Sequence, residues 1–180
     1  MKVCLVPIGE VDNDVMQFLK ERLKDVFGSC KILVPMNVPE EAYNPARNQY
    51  NSTAILVRIK PLCDVVLGVT DVDLYADKLN FVFGEAEVGG KRAIISLKRL
   101  RQEFYGLPAD KGLFKLRALK EAMHEIGHVL GLLHCTDKRC VMHFSNSIID
   151  TDIKDWRYCE RCLSVLKRKG IILNYNIFKK

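Results

Sequence analysis

Short apolar segments alternate with amphipathic segments along the N-terminal half of the chain, and this alternation restricts the fold to a few architectures. Residues 2–8, 30–35 and 64–69 are apolar and rich in β-branched side chains, which is typical of strands. Apolar side chains at helical spacing predict a helix within residues 12–28, with Asp12 as its N-cap and Gly28 as its C′ residue, and residues 48–60 are a second helix candidate. The strand–helix–strand–helix–strand order predicts a mainly parallel sheet with helical crossovers.

Two further strand candidates follow at residues 80–83 and 92–97, joined to their neighbours by short connections. Parallel strands need a long crossover, so the segment near 80–88 is predicted to be an antiparallel edge strand. A long helical stretch covers residues 112–131. We therefore predict an α/β (α+β) fold with a twisted, mixed and mainly parallel sheet and an antiparallel edge strand.

The bulk composition is that of a soluble globular domain. The chain has 180 residues, of which 48% are hydrophobic and 28% charged, and this is enough to bury a core. No run reaches the roughly 18 apolar residues of a membrane helix, and the N-terminal apolar stretch is too short for a secretory signal. We therefore expect a cytoplasmic monomer that does not contact a membrane.

The net charge of +6 raises the question of nucleic acid binding. The basic residues are scattered, with modest clusters at 91–101 and 167–169. No aromatic side chains interleave these clusters as a nucleic-acid-binding platform requires. We therefore interpret the charge as a solvated basic surface and expect no nucleic acid partner.

The segment HEIGHVLGLLH, residues 124–134, has the spacing of a metal site. His124 and His128 are four residues apart, about 40° on a helix, so both imidazoles can face one ion. On a continuing helix His134 would lie about 240° beyond His128. Gly131 readily adopts positive φ, which can end the helix and bring His134 back as the third ligand. Three protein ligands leave one tetrahedral position open for water, as in catalytic zinc sites.

Glu125 follows His124 and can lean over the same face of the helix without being a ligand. We expect it to act as general base, taking a proton from zinc-bound water and passing it to the departing amine. The pattern HExxHxxGxxH is the metzincin signature. On the opposite face we expect the following side chains to pack on the sheet: Leu116, Leu119, Met123, Ile126 and Leu130.

Four of the seven cysteines are grouped in the C-terminal third. Cys135 and Cys140 precede the CxxC pair of Cys159 and Cys162, a set that suits a closed, four-sulfur structural zinc site. Such a site would tie residues 141–170 to the active-site helix. Two disulfides and a redox-active CxxC pair are the alternatives; a reducing cytosol disfavours the first, and the C-terminal position the second. The remaining cysteines are predicted to be small buried side chains: Cys4, Cys30 and Cys63.

This stretch of the chain resembles the archaemetzincins, a branch of the metzincin zinc peptidases. The resemblance rests on HEIGHVLGLLH followed directly by Cys135, then on CVM at residues 140–142 and on CERC at residues 159–162. It extends upstream to residues 64–97, which include GVTDVDLY and FVFGEAEVGG. The similarity thus spans nearly the whole chain.

The resemblance implies a metzincin-like (zincin-like) fold within a single domain, residues 1–180. An active-site cleft would divide a larger N-terminal subdomain, residues 1–131, from a small zinc-stapled C-terminal subdomain, residues 132–180. It also implies that Met142 forms the Met-turn, a tight turn beneath the three histidines.

The chain departs from some metzincins two residues after this methionine. Those proteins have a tyrosine there that can bind zinc or stabilise the oxyanion, whereas this chain has Phe144 and offers no phenol. We interpret the neighbouring His143 as a surface or supporting histidine.

We therefore expect a zinc metalloprotease that binds two zinc ions per chain and hydrolyses a peptide or protein substrate. An extended peptide could add to an edge strand at residues 82–88, although the nearby glycines also suit simple turns. The alternative is a non-catalytic zinc-binding module on the same scaffold. A zincin with a downstream glutamate ligand fits less well, because the next glutamate, Glu160, lies inside the CxxC pair.

Overall fold

The structure, a computed structural model, describes residues 1–175. Within this range the strands are β1 Lys2–Ile8, β2 Ser29–Ile32, β3 Tyr43–Asn44, β4 Gln49–Asn51, β5 Val65–Thr70, β6 Leu74–Tyr75, β7 Gly84–Ala86 and β8 Arg92–Ser96. The α-helices are α1 Asn13–Phe27, α2 Ser52–Leu56, α3 Lys111–Val129, α4 Ile148–Ile153 and α5 Glu160–Arg168. Short 3₁₀ turns lie at Glu40–Ala42, Lys98–Leu100 and Gln102–Tyr105.

The main sheet has five strands in the order β2-β1-β5-β8-β7. Four of them run parallel, and β7 pairs antiparallel with β8 at one edge. Every residue of β5 is buried, as expected for a parallel strand that is covered on both faces. The predicted fold class, a mixed and mainly parallel sheet with an antiparallel edge strand, is confirmed.

The sheet separates two apolar clusters, because successive side chains of a strand point to opposite faces. In β1, Val3 and Leu5 pack with α1 and α3, whereas Cys4 and Val6 pack with α2. Helix α3 therefore lies on the face of the sheet that carries the larger cluster, and its C-terminal half approaches β7 and β8.

Helix α1 begins and ends where the sequence predicts. The Asp12 side chain accepts a hydrogen bond from the backbone N–H of Asp14 and caps the N-terminus. Gly28 has a φ of 91° and donates its N–H to the carbonyl oxygen of Lys24, which closes the C-terminus. These caps are local interactions, which explains why the pattern predicts them.

The helix predicted at residues 48–60 is wrong in extent. Residues 49–51 form β4, which pairs with β3 and β6 in a separate three-stranded sheet, and only α2 is helical. Asn48 has a φ of 52°, and the Asn51 side chain caps α2 at the Ala54 N–H. Strand pairing with distant residues thus overrides the local helical pattern.

The strand candidate at 80–83 forms no regular strand, whereas the antiparallel edge strand lies at residues 84–86, inside the segment 80–88 predicted for it. Its register places Gly84 opposite Ile95 of β8. Before it, Val82 makes only an isolated bridge to Leu74.

The structure also corrects the prediction for Leu116 and adds a bond between two of the predicted buried cysteines. Leu116 was expected to face the sheet but is 37% exposed, because it lies on the solvent side of the first turns of α3. Cys4, Cys30 and Cys63 are buried as predicted, and Cys30 is a free thiol, but Cys4 and Cys63 form a disulfide that the sequence reasoning did not predict. The other four side chains predicted for that face of α3 are buried or pack against the core.

The described residues contain no helix long and apolar enough to cross a membrane. The division into subdomains at residues 131 and 132 stays a prediction.

Candidate active site

The end of α3 brings three histidines together. His124 and His128 lie one turn apart on the same face, with ring centroids 4.7 Å apart. Gly131 has a φ of 89°, and its N–H bonds to the carbonyl oxygen of His128 at 2.9 Å. The chain reverses there, and the His134 ring lies 5.5 Å from that of His124 and 4.9 Å from that of His128.

Hydrogen bonds to the backbone orient the first two imidazoles. The Nδ1 atoms of His124 and His128 lie 2.7 Å and 2.8 Å from the carbonyl oxygens of Val141 and Leu132. A carbonyl oxygen can only accept, so Nδ1 carries the proton and Nε2 keeps its lone pair. The two Nε2 atoms are only 3.1 Å apart, a repulsive arrangement unless a cation lies between them.

The histidine geometry fits zinc. Candidate ligand atoms of His124, His128 and His134 all lie within 4.8 Å of one another. Zinc–nitrogen bonds of about 2.0–2.1 Å in a tetrahedron place two nitrogens roughly 3.3 Å apart, close to the separation seen here. Burial lowers the pKa of all three imidazoles, most strongly that of His124. The neutral imidazole that results is the form that binds a metal ion.

Glu125 lies between α3 and the edge strand. Its side chain is so close to Gly84 that a Cβ at position 84 would stand 2.7 Å from both Cγ and Oε1 of Glu125. Burial, followed by the charge of Glu121, raises the pKa of Glu125 well above its usual value, and Lys154 opposes this shift. A raised pKa suits a carboxylate that accepts and returns a proton near neutral pH.

A cleft of about 460 Å³ opens over these residues. One wall is mostly apolar and is contributed by residues 79–88, which include β7. The opposite side is polar apart from one phenyl ring and includes a buried lysine and glutamate. Its lining residues are Glu121, Phe144, Ser145, Asn146 and Lys154.

Met142 and Tyr158 support α3 from below. Met142 is fully buried, and its sulfur lies against Gly127. The Tyr158 hydroxyl donates a 2.6 Å hydrogen bond to the carbonyl oxygen of Met123. These contacts hold the histidine-bearing half of α3 against the C-terminal segment.

The two residues after Met142 have different surroundings. His143 Nδ1 lies 2.9 Å from the carbonyl oxygen of Cys135, so this ring is bonded to the loop that follows the third histidine. The Phe144 ring is 42% exposed and lies 5.0 Å from the His134 ring at the cleft.

The four C-terminal cysteines converge on one point. Their sulfurs all lie within 4.8 Å of one another, with Cys135 and Cys159 at 3.8 Å and Cys140 and Cys162 at 3.7 Å. These separations are far longer than a disulfide bond. Zinc–sulfur bonds of about 2.3 Å in a tetrahedron place two sulfurs roughly 3.8 Å apart, so the set fits a zinc ion.

Hydrogen bonds surround this cluster. The Cys140 sulfur accepts from the backbone N–H groups of Met142 and Cys159, both at 3.4 Å. Burial raises the pKa of the Cys135 thiol, but hydrogen bonds from the Asp137 N–H and from Arg161 outweigh it, so the pKa lies below its usual value. Burial raises the pKa of Cys140 to about 11, and a bound cation is what would hold such a thiol deprotonated.

Sequence reasoning missed the charged residues at the polar end of the cleft. Glu121 and Lys154 form a buried ion pair of 3.1 Å. One turn earlier, Arg117 makes two 2.7 Å hydrogen bonds to the carboxylate of Asp152. The signal for the α3 residues lay in the spacing, because positions 117, 121, 124 and 128 share one helical face.

Comparisons with known proteins agree with this architecture. The sequence profile of peptidase family M54 matches residues 8–168. An archaemetzincin from Methanocaldococcus jannaschii is 60% identical over 174 residues, which are 97% of each chain. One from Pyrococcus furiosus is 51% identical over 178 residues, 93% of each chain.

Solved structures give the same result. The crystal structure of an archaemetzincin from Archaeoglobus fulgidus has a TM-score of 0.83 at 45% identity, covering 91% of this chain and 99% of that chain. One from Methanopyrus kandleri has a TM-score of 0.83 at 38% identity, covering 94% and 95%. The chain therefore belongs to peptidase family M54, the archaemetzincins, and is a zinc metallopeptidase.

Proposed function

We propose that this enzyme hydrolyses peptide bonds with a water molecule bound to a zinc ion at His124, His128 and His134. The observation that carries the proposal is the approach of two imidazole nitrogens, both with free lone pairs, to 3.1 Å at the floor of an open cleft. His134 is the exposed member of the set, which leaves the cleft side of the site open to water and substrate.

Glu125 is the general base in this proposal. Zinc, when bound, lowers the pKa of its water to about 7 and polarises the substrate carbonyl. Glu125 borders the cleft beside His124 and does not belong to the ligand set, so its carboxylate can take a proton from that water. The same carboxyl group then returns the proton to the amine that leaves.

The edge strand β7 is the proposed substrate-binding strand. Within the described residues its only neighbour in the sheet is β8, and its other edge faces the cleft. An extended peptide can pair with such an edge through backbone hydrogen bonds. Gly84 allows Glu125 to lie directly beside this strand, so the paired peptide would pass over the proposed base.

A second zinc ion at Cys135, Cys140, Cys159 and Cys162 is proposed to be structural. Four protein ligands leave no coordination position open for water, which is typical of a structural zinc site. The ion would link the loop after His134 to α5 and so hold the predicted C-terminal subdomain, residues 132–180, together. Met142, buried between this site and α3, is the proposed Met-turn residue.

Exchange of Glu125 for glutamine tests the proposed reaction. We expect Glu125→Gln to keep both zinc ions and to lower the cleavage rate of a mixed peptide library by at least about 100-fold, because general base catalysis contributes 10²–10⁴-fold. Glu103→Gln, at an exposed position outside the cleft, is the matched control. Unchanged cleavage by Glu125→Gln would remove this residue from the mechanism. A zinc-loaded wild type that cleaves no peptide would favour the non-catalytic alternative.

A further inference from the structure

One end of the cleft carries a buried ammonium group that lacks a hydrogen-bond partner. The Lys154 side chain is fully buried and lines the cleft. Its Nζ lies 3.1 Å from Glu121 Oε1, but the pair lacks hydrogen-bond geometry, and no acceptor within residues 1–175 meets the ammonium. An ammonium has three N–H donors, and leaving them unpaired in the interior is costly. The Lys154 ammonium can therefore donate hydrogen bonds to an acceptor on a ligand.

The Glu121 carboxylate has fewer free hydrogen-bonding positions than the Lys154 ammonium. The oxygen that faces Lys154 also accepts a 3.1 Å hydrogen bond from the Thr151 hydroxyl, and the Glu121 side chain is only 3% exposed. The nearby Lys120 adds positive charge, but its Nζ donates to the carbonyl oxygens of Thr151 and Asp152, both at 3.0 Å. Lys120 lines a neighbouring surface cavity, which Lys154 also borders, and does not line the cleft. The free donors at this end of the cleft therefore belong to Lys154.

The direction of the edge strand defines which half of a substrate meets Lys154. Gly84 lies beside Glu125, and the Gly89 N–H bonds to the carbonyl oxygen of His128 at 3.0 Å, so β7 and α3 run in the same direction. A peptide in the slightly more stable antiparallel pairing with β7 runs the opposite way. Its C-terminal half then lies toward Glu121, one helical turn before His124. Lys154 therefore faces the part of the substrate that follows the scissile bond.

We propose that Lys154 binds a carboxylate carried by the leaving-group half of the substrate. A carboxylate is the acceptor that matches a buried ammonium, since a charged pair forms the stronger hydrogen bonds. Two sources supply this group: an aspartate or glutamate side chain directly after the scissile bond, or a free C-terminus at that residue. The first makes the enzyme an acid-selective endopeptidase and the second a carboxypeptidase. This inference rests on the proposed zinc-dependent hydrolysis.

A binding experiment tests the proposal without turnover. The zinc-loaded wild type is titrated by calorimetry with two hydroxamate ligands that differ only in a carboxylate or an isosteric carboxamide next to the zinc-binding group. We expect the carboxylate to bind at least tenfold more tightly, and Lys154→Met to abolish this difference. Lys120→Met is the matched control and keeps the preference. Equal affinities in the wild type, or a preference retained by Lys154→Met, would overturn the inference.

A second variant covers the case in which loss of Lys154 prevents folding. Glu121→Gln removes the anion that competes for the ammonium, so the preference for the carboxylate ligand should increase. An unchanged or smaller preference in this variant counts against the proposal. If the tenfold preference stands but the wild type cleaves no peptide, the proposed reaction fails and the carboxylate site stands.

Cleavage of defined peptides distinguishes the two sources of carboxylate. One series carries aspartate, asparagine, leucine or lysine after the scissile bond and has an amidated C-terminus. The other has leucine as the last residue, with either a free or an amidated C-terminus. Faster cleavage of the aspartate peptide indicates side-chain recognition, and faster cleavage of the free leucine peptide indicates C-terminal recognition. Equal cleavage rates within both series contradict the proposal.

Discussion

The sulfur of Met142 lies directly against Gly127, near the C-terminal end of α3. A Cβ at position 127 would overlap this sulfur and would stand 2.9 Å from Cε1 of Tyr158. Glycine lowers helix stability by about 1 kcal/mol relative to alanine, so its presence here reflects the close packing of the C-terminal segment.

Gly127→Ala should therefore destabilise the protein despite the better helix propensity of alanine. We expect a loss of about 1–3 kcal/mol in the free energy of unfolding, because the added methyl group overpacks a filled interior. Urea unfolding of the zinc-loaded protein measures the change. Gly112→Ala is the control in the same helix, since a Cβ there meets only Asp110 Oδ1 at 3.6 Å. It should be neutral or stabilise by up to about 1 kcal/mol; a stabilising Gly127→Ala would contradict the packing argument.

Metal analysis should find two zinc ions per chain, one bound by the three histidines and one by the four cysteines. Cys162→Ala should lose one zinc and much of the thermal stability, because a four-cysteine site contributes to folding directly. His134→Ala should lose the other zinc with a small effect on stability, because this side chain is exposed. Mass spectrometry of bound metal and thermal unfolding provide the readout. Cys30→Ala, a buried free cysteine outside the cluster, should keep both ions; retention of both by Cys162→Ala would disprove the second site.

The metal-free protein should show unusual histidine titration. Burial lowers the pKa of His124 and His128 below the usual 6.5, so both rings should stay neutral as the pH falls through 6.5. In that pH range the histidines of the unfolded chain bind protons, whereas His124 and His128 of the folded chain do not. The free energy of unfolding of the metal-free protein should therefore decrease as the pH falls below about 6.5. NMR of the imidazole protons measures the titration directly. Midpoints at or above 6.5 would contradict the burial argument.

The disulfide between Cys4 and Cys63 can be tested by counting the free thiols of the protein. Unreduced protein, denatured and stripped of metal, should show five free thiols, against seven after reduction. The bond spans 59 residues, so in the chain-entropy model its loss in Cys63→Ala should cost about 4 kcal/mol. Seven thiols before reduction would show that the two cysteines are separate.

Local patterns predicted the parts of the fold that local interactions stabilise. The ends of α1 follow from Asp12 and Gly28, and the turn at Gly131 follows from the spacing of the histidines. The central strands were predictable because a parallel strand covered on both faces is apolar throughout. The small sheet of β3, β4 and β6 was not predicted, since its shortest strands have two residues and carry almost no pattern.

The charged end of the cleft could not be predicted from the sequence for a different reason. The bond from Thr151 to Glu121 joins residues 30 positions apart, and the one from Arg117 to Asp152 joins residues 35 apart. Charged residues on a helix usually face solvent, so the helical face that Arg117 and Glu121 share with the histidines did not by itself indicate that they are buried. Tertiary contacts bury them, with α4 and Lys154 on one side and the segment at Leu100–Gln102 on the other.

The backbone passes from His134 to Cys135 through a single peptide bond, so one ligand of each proposed zinc site belongs to the same dipeptide. An ion in the sulfur cluster would add to the hydrogen bonds of Cys135 in fixing the end of the loop that carries the third imidazole. Under the proposed assignment the two ions would therefore be acquired in sequence during maturation, the sulfur-bound one first. Zinc limitation in the growing cell would then produce fully folded but half-loaded molecules rather than unfolded ones.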